Sequence, residues 1–408
     1  MSRSIDPGVE LLLARFAPAF EAIAARAAAR DRDRHLPFEE VEHLRSLGFA
    51  ALRVPVAFGG AGIDIPALFA LLVRLGEADP NLVQILRAHF AFVEGQLGNK
   101  DAEARARWLQ LVADGAVFGA AMAERTAGTE TTATVRREGD GWRLDGTKYY
   151  CTGTLYASWI VAVARDGDDR VTLAVPADAP GVFREDDWNG FGQRLSGSGT
   201  TRFEAVRLDD GHVLRRMQQA EVPRDGYLTA FYQLFHLAAL AGIARAVRAD
   251  AVGFVRDKTR TFGVPGQSEP RRDPLVQRVV GRISANVLVL EALVERVARE
   301  VAATADAKFR GESTGADTIA VDITAFEAQQ VAIDLAVETA NLLFEVGGAS
   351  ATSAERNLDR HWRNARVLAS HNPAAQRERM IGDYRLNESD PGDVWREAAA
   401  RNGEKRHA

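Results

Sequence analysis

The histidines and the single cysteine decide which kinds of chemistry this sequence could support. The eight histidines lie at positions 35, 43, 89, 212, 236, 361, 371 and 407. No two of them show the H-x-x-x-H or H-E-x-x-H spacing of a metal site. The one cysteine, Cys151, can form neither an internal disulfide nor a thiolate cluster. Redox chemistry in this chain would therefore have to come from an organic cofactor.

The glycine-rich stretches do not form a dinucleotide-binding fingerprint. VPVAFGGAGID, residues 54–64, lacks the G-x-G-x-x-G spacing between a strand and a helix. In SGSG, residues 196–199, Ser196 and Ser198 could contact a ligand or serve only as turn residues. Cys151 is expected to pack on a predicted strand beside Thr152 rather than to react.

Length and composition describe a folded chain without an electrostatic preference for nucleic acid. The 408 residues are 46% hydrophobic and 26% charged, which predicts two or three packed units. A formal charge of −5 gives no broad attraction to nucleic acid or to an anionic membrane. No apolar run approaches the roughly 20 residues of a membrane span, and MSRSIDPGVELLLARF lacks a secretory signal pattern. We expect a cytoplasmic location.

Changes in hydrophobic period divide the chain into three domains and a tail. Helical patterns predict an N-terminal helical domain over residues 1–115. Short β-branched and aromatic runs separated by turn signals then predict a central β domain over residues 116–220. The helical period returns in a bundle over residues 221–395, and residues 396–408 form a polar tail.

Five motifs, in this order, resemble those of the acyl-CoA dehydrogenase family over nearly the whole chain. They are AERTAGTE (123–130), LDGTKYYCTG (144–153), FGQRLSGSGTTRFEAVRL (191–208), RTFGVP (260–265) and GGASATSAERNLDRHWRNAR (347–366). The resemblance implies a mainly α fold with a central β domain: an N-terminal helical domain, an antiparallel β domain and a C-terminal four-helix bundle.

The sequence departs from that family where its commonest members carry the catalytic base. They have a Tyr-Glu-Gly-Thr motif whose glutamate removes a proton next to the thioester. Here the chain reads SHNP, with His371 in place of the carboxylate. ARVLASHNPAAQRERMIGDYRLN, residues 365–387, instead resembles a flavin-dependent monooxygenase branch of the same fold that includes dibenzothiophene monooxygenase and sulfur-acquisition oxidoreductases.

The branch resemblance implies a two-component monooxygenase. It would take reduced FMN from a separate NAD(P)H-dependent reductase, react with O2 through a C4a-hydroperoxyflavin, and oxygenate a small sulfur-containing or aromatic substrate. An imidazole suits this chemistry because it can donate a hydrogen bond to the forming peroxide, whereas a carboxylate would repel it. FAD is the alternative cofactor. The resemblance and the long helices imply a homotetramer.

The resemblance also assigns roles to individual residues. His371, His89 and Thr152 would be catalytic, and Phe90, Phe92, Trp188 and Phe191 would be apolar walls. The cofactor would contact Gly128, Thr129, Thr152, Trp188, Arg260, Arg366 and Asn372. Structural alternatives stay open for several of these positions. His371 could be a hydrogen-bonded histidine near a helix end, His89 a core histidine, and Arg260 a surface arginine. Thr152 could be a strand threonine that serves packing, and Gly128 and Thr129 could belong to a plain turn.

Two other functions remain open at this point. An acyl-CoA dehydrogenase-like enzyme could use FAD with a base carried elsewhere in the bundle. An inactive paralogue could bind a hydrophobic ligand through the same cleft. Retention of FAD and bleaching by an acyl-CoA would indicate the first, and failure to consume O2 with any reduced flavin would indicate the second.

Overall fold

A computed structural model of the chain describes residues 7–125, 131–218, 226–258 and 269–393. Within these ranges the elements follow one another as helices, strands and helices again. The mainly helical fold with a central β domain, expected from the sequence, is confirmed.

Five helices form the first part of the fold, and three of them begin at a capping aspartate. They are α1 (Pro7–Asp33), α2 (Phe38–Ser46), α3 (Ile65–Ala78), α4 (Pro80–Leu97) and α5 (Ala102–Ala113). Asp64, Asp79 and Asp101 cap α3, α4 and α5 by accepting hydrogen bonds from N–H groups of the first turn. Helix α4 matters most for the site. It is buried along nearly its whole length, where it contacts other helices of both helical domains and the sheet.

The described strands form one eight-stranded sheet. They are β1 (Phe118–Ala121), β2 (Thr134–Glu138), β3 (Gly141–Lys148), β4 (Trp159–Asp166), β5 (Asp169–Pro176), β6 (Val182–Arg184), β7 (Thr201–Leu208) and β8 (Val213–Met217). Their order is β6-β7-β3-β2-β4-β5-β8, with β1 beside β4. The pairs are antiparallel except that β1 and β2 each pair with β4 in parallel, so the sheet is mixed rather than purely antiparallel.

Three long helices form the C-terminal bundle. They are α6 (Leu228–Asp257), α7 (Pro274–Arg310) and α8 (Gly315–Gly347), followed by α9 (Asp359–Ala369) and α10 (Ala374–Asn387). Helix α6 packs against α3, α4, α7, α8 and α9, so it is the central helix of the molecule. By length and composition it could cross a membrane, but 83% of its apolar window is buried inside the protein, as in a core helix.

The strand predicted through Cys151 and Thr152 ends earlier than expected. Strand β3 stops at Lys148, and residues 149–153 form a turn. Tyr150 has φ 60° and Gly153 has φ 78°, both outside the extended region, so the chain cannot continue as a strand. The placement of Cys151 and Thr152 on a strand was therefore wrong. Cys151 is buried, and burial raises the pKa of its thiol to about 11.

Candidate functional site

His371 lies in the short connection between α9 and α10, where it faces α4 and α6. Its Nε2 is 3.4 Å from Nη1 of Arg87, which comes from the middle of α4. Because the guanidinium can only donate, Nε2 of His371 accepts, and the ring carries its proton on Nδ1. Close packing around the ring and the charge of Arg87 hold the pKa of His371 below the usual histidine value, although part of the side chain is exposed.

Asn372 and Gln233 form hydrogen bonds next to His371. The Asn372 side chain makes a hydrogen bond with the His371 ring. The Nδ2 atom of Asn372 in turn donates to Oε1 of Gln233 on α6, at 2.9 Å. Burial and the charge of Arg87 keep the His371 ring neutral by lowering its pKa, and they outweigh the contact with Asn372, which acts in the opposite direction.

A second histidine, His236, lies beside His371. The two ring centroids are 4.3 Å apart with an interplanar angle of 50°. His236 is 2% exposed, and among the described residues neither of its ring nitrogens has a hydrogen-bond partner. Burial, His371 and Arg87 together lower its pKa well below the usual value, so His236 is neutral.

Arg87 supplies the positive charge of this cluster. Its Nε donates to the carbonyl of Tyr232 at 3.3 Å, and its guanidinium carbon lies 4.8 Å from the Tyr232 ring centroid. Burial lowers the pKa of Arg87 to about 10, which leaves it charged at neutral pH. We call Arg87, Gln233, His236, His371 and Asn372 the histidine cluster.

His89 is not part of the histidine cluster. It is fully buried, with Nε2 2.8 Å from the Ala50 carbonyl and Nδ1 accepting from the Phe118 N–H at 3.3 Å. Residues two apart on a helix point to different sides, so Arg87 and His89 face different neighbours. Burial lowers the pKa of His89 to about 4. This geometry is that of the core histidine which the sequence left open as the alternative.

Replacing His89 with leucine is expected to destabilise the protein by about 2–3 kcal/mol, because two buried backbone groups lose their partners. Urea unfolding of both proteins measures the difference. If His89 instead acts in catalysis, kcat will fall while the free energy of unfolding stays unchanged.

Two of the four aromatic residues expected to line the cavity belong to the core instead. Phe90 is buried against Phe49 and Phe235, and Phe92 stacks on Phe118 with centroids 3.6 Å apart. The expectation was wrong for Phe90 and Phe92 because α4 is buried on nearly all sides, so its aromatic side chains pack into the core. Trp188 is half-buried, with Nε1 donating to the Gln193 carbonyl at 2.9 Å. Phe191 is exposed and stacks on Trp362 at 6.0 Å.

A chain of hydroxyl groups runs from the turn after β3 to the loop before β7. Oγ1 of Thr152 is 2.9 Å from Oγ of Ser198, which is 2.7 Å from Oγ of Ser196. The Thr152 turn is pressed against α4, since a Cβ on Gly153 would lie 2.7 Å from the Ile85 carbonyl oxygen. Thr152 is half-buried at the end of this chain, where its hydroxyl could serve a ligand as donor or acceptor.

The loop of residues 188–199 has the groups that a flat, heteroatom-rich cofactor such as a flavin requires. The side-chain amide of Gln193 is buried and has no partner among the described residues. Its backbone N–H is fixed by Oδ1 of Asn364 on α9, at 2.6 Å. An orphan amide, the Thr152–Ser198 hydroxyls and the Trp188 ring form a donor and acceptor set that fits a flavin edge. These residues would hold that group.

The remaining predicted contacts are only partly described. Gly128, Thr129 and Arg260 lie outside the described residues. Arg366 is exposed near the end of α9, and Asn372 belongs to the histidine cluster. Ser196 and Ser198 are buried within the hydroxyl chain.

Sequence reasoning missed Arg87, Gln233, His236 and Gln193. Arg87, Gln233 and His236 could have been identified because each is a charged or strongly polar residue within the apolar pattern of α4 or α6. No local pattern marked Gln193. Its unusual position, with φ 49° and a buried amide, follows from contacts with α9, which lies far along the chain.

Comparisons with known proteins identify the family of the chain. Sequence profiles of the acyl-CoA dehydrogenase family match as N-terminal domain (14–116), middle domain (119–206) and C-terminal domain (234–376). The chain is 27% identical to a probable FMNH2-dependent monooxygenase, SfnC, of Pseudomonas putida, over 90% of this chain and 93% of that protein. It is 25% identical to the dibenzothiophene monooxygenase of Rhodococcus qingshengii, over 89% and 90% of the two chains.

Solved structures show the same similarity. TdsC of Paenibacillus sp. A11-2, in complex with FMN and indole, superposes with a TM-score of 0.86 at 26% identity and covers 93% of this chain and 98% of its own. The methanesulfinate monooxygenase MsuC of Pseudomonas fluorescens gives a TM-score of 0.83 at 25% identity, with coverages of 95% and 98%. From its three consecutive domain matches, its fold and these relatives, the chain belongs to the acyl-CoA dehydrogenase family.

Proposed function

We propose that this protein is the oxygenase of a two-component flavin-dependent monooxygenase, which uses reduced FMN and O2 to oxygenate a small sulfur-containing or aromatic compound. The histidine cluster is the observation that carries this proposal. It provides a positive charge and two neutral imidazoles where a dehydrogenase of the commonest type has a carboxylate. When bound, reduced FMN would supply the electrons that activate O2.

The residues of the chain have separate tasks in this proposal. Thr152, Ser198 and Gln193 hold the cofactor edge through hydroxyl and amide groups, and Trp188 covers it. His371 can hold or pass a proton at Nδ1 towards the reacting oxygens. Arg87 stabilises negative charge that develops beside His371. Asn372 and Gln233 keep the His371 ring in its orientation.

The names of the relatives support a small sulfur-containing substrate and a flavin reductase as partner. The relatives' names include a neutral aromatic sulfur compound, dibenzothiophene, and an anionic one, methanesulfinate. Dependence on FMNH2 in a relative's name implies a separate reductase. We propose an NAD(P)H-dependent flavin reductase as partner, a cytoplasmic location and a homotetramer, as the family resemblance implies.

An acyl-CoA dehydrogenase with a relocated base is the competing function. It requires a carboxylate beside the substrate, and the described side chains that make a hydrogen bond or ring contact with the His371 ring are those of Arg87, His236 and Asn372, none of which is acidic. This set favours oxygen chemistry over proton abstraction by a carboxylate.

A single assay tests the function. The protein is mixed with chemically reduced FMN, O2 and dibenzothiophene or methanesulfinate, and products are identified by mass spectrometry with ¹⁸O2. Incorporation of one ¹⁸O atom into either substrate supports the proposal. Flavin bleaching by an acyl-CoA without O2 would instead establish the dehydrogenase.

A further inference from the structure

The charge of Arg87 is not balanced within the described chain. Its contacts there are the Tyr232 carbonyl and ring and Nε2 of His371, and no carboxylate lies within ion-pair distance. By contrast, other partly buried arginines such as Arg53 and Arg245 contact glutamates. A half-buried arginine without a counter-ion is costly unless a ligand provides one.

The groups that face Arg87 do not offset its charge. Helix α6 presents Tyr232, Gln233 and His236, and the connection after α9 presents His371 and Asn372. All five side chains are neutral when both imidazoles are unprotonated. The cluster therefore has a net positive charge of about one, confined to the side where His371 is open to solvent.

His236 gives an independent indication of a missing ligand. A neutral imidazole carries one N–H donor, and the ring nitrogens of His236 are buried without a partner among the residues that the structure describes. Leaving such a donor unsatisfied costs roughly 1–3 kcal/mol, and buried polar groups without partners are uncommon. An oxygen atom of a bound molecule beside His236 would satisfy this donor.

We propose that Arg87 and His236 bind an anionic oxygen group of the substrate, such as a sulfinate, sulfonate or carboxylate. The forked guanidinium suits such planar or trigonal oxyanions, and His236 adds a second donor. The proposal rests on the proposed function, because the cluster surrounds the histidine placed at the reacting oxygens. It selects charged substrates over neutral thioethers, sulfones and heterocycles. The phosphate of FMN has the same oxyanion chemistry and is the other source to be tested.

Calorimetric titration of the flavin-free, full-length protein tests the site without catalysis. Methanesulfonate and dimethyl sulfone are similar in shape, but only the first is charged. We expect methanesulfonate to bind at least about 10-fold more tightly than dimethyl sulfone. Arg87→Gln should reduce the affinity for methanesulfonate by roughly 10- to 100-fold, the usual effect of losing a charged hydrogen bond. Arg87→Lys should restore part of it, and His236→Phe should weaken it less than Arg87→Gln does.

The matched control is Arg310→Gln, which removes an exposed arginine at the end of α7. Its affinity for methanesulfonate should equal that of the wild type. Equal binding of methanesulfonate and dimethyl sulfone, or unchanged binding in folded Arg87→Gln, would overturn the proposal.

A second titration separates the two sources of the oxyanion. FMN and riboflavin differ by the phosphate, and the ratio of their affinities should be the same in Arg87→Gln as in the wild type. If Arg87→Gln removes the preference for FMN, the site holds the cofactor phosphate and the substrate assignment is wrong. Because these measurements involve neither O2 nor reduced flavin, anion binding can succeed where the ¹⁸O assay fails, and the reverse.

Discussion

Replacing His371 with alanine is expected to lower the rate of substrate oxygenation about 100-fold or more, and to raise the share of consumed O2 that is released as hydrogen peroxide. The reason lies in the geometry. The ring contacts Arg87 through Nε2 and also contacts the Asn372 side chain, and it is the accessible imidazole of the histidine cluster. Without the ring, the cluster has no accessible imidazole to hold or pass a proton at the reacting oxygens.

The measurement compares product formed with O2 consumed, using chemically reduced FMN so that no reductase limits the rate. His43→Ala is the matched control, because His43 is exposed on α2 and should leave both quantities unchanged. Since the pKa of His371 is lowered, its ring stays neutral as the pH falls from about 8 to about 6, and the wild-type rate should not drop through an ordinary histidine titration in that range. Unaltered rate and coupling in His371→Ala would remove this residue from the reaction.

The sequence predicted the fold because its signals were local and repeated. The bundle helices follow a 3.6-residue period over more than 25 positions, and their starts at Asp273 and Thr314 are capped by the side chains of those residues. Two predictions about the strands were wrong, because the sheet is mixed rather than antiparallel and β3 ends before Cys151. There the left-handed backbone of Tyr150 stops the strand, and neither the tyrosine pair nor its neighbours indicate that conformation.

The candidate site was predictable only where one motif contained it. His371 and Asn372 stand next to each other in SHNP, and the family resemblance marked both. Arg87 and His236 reach them from α4 and α6, which lie far away along the chain, so only packing reveals the contact. His89 shows a different limit, because a helical motif gives a residue's position without giving the side of the helix it faces.

Glu124 of the AERTAGTE motif and Lys148 of the LDGTKYYCTG motif form a buried brace beside the site, a pairing that the sequence did not predict. Their side chains are 5% and 0% exposed and form an ion pair. Glu124 also accepts hydrogen bonds from N–H and Oγ1 of Thr132 and from N–H of Ala133. It thereby fastens the chain before residue 126 to the chain after residue 130, the interval that contains the predicted cofactor contacts Gly128 and Thr129. Lys148 is the last residue of β3 and lies four residues before Thr152, so its ion pair with Glu124 connects these two chain segments to the end of β3.

Electrostatics make the loss of either partner costly. Burial raises the pKa of Glu124, but the bonds from Lys148, Thr132 and Ala133 outweigh it and bring the value down to about 2. Burial lowers the pKa of Lys148 despite its partner, so the ammonium depends on Glu124 for its charge. Because the pKa of Glu124 is lower in the folded state, its stabilising contribution is present above about pH 4.5 and is lost as the pH falls towards 2.

Glu124→Gln should therefore destabilise the protein by about 3 kcal/mol, since it leaves a buried ammonium without a counter-ion. Urea unfolding at neutral pH measures this loss. Glu327→Gln is the control: its pair with Arg385 is exposed and contributes less than about 1 kcal/mol. Between about pH 4.5 and 2 the wild type should lose more stability than Glu124→Gln does. If the brace also positions the predicted cofactor contacts Gly128 and Thr129, FMN will bind more weakly to folded Glu124→Gln than to the wild type. Equal stability of Glu124→Gln and the wild type at neutral pH would show that Lys148 is neutral and that the ion pair does not form.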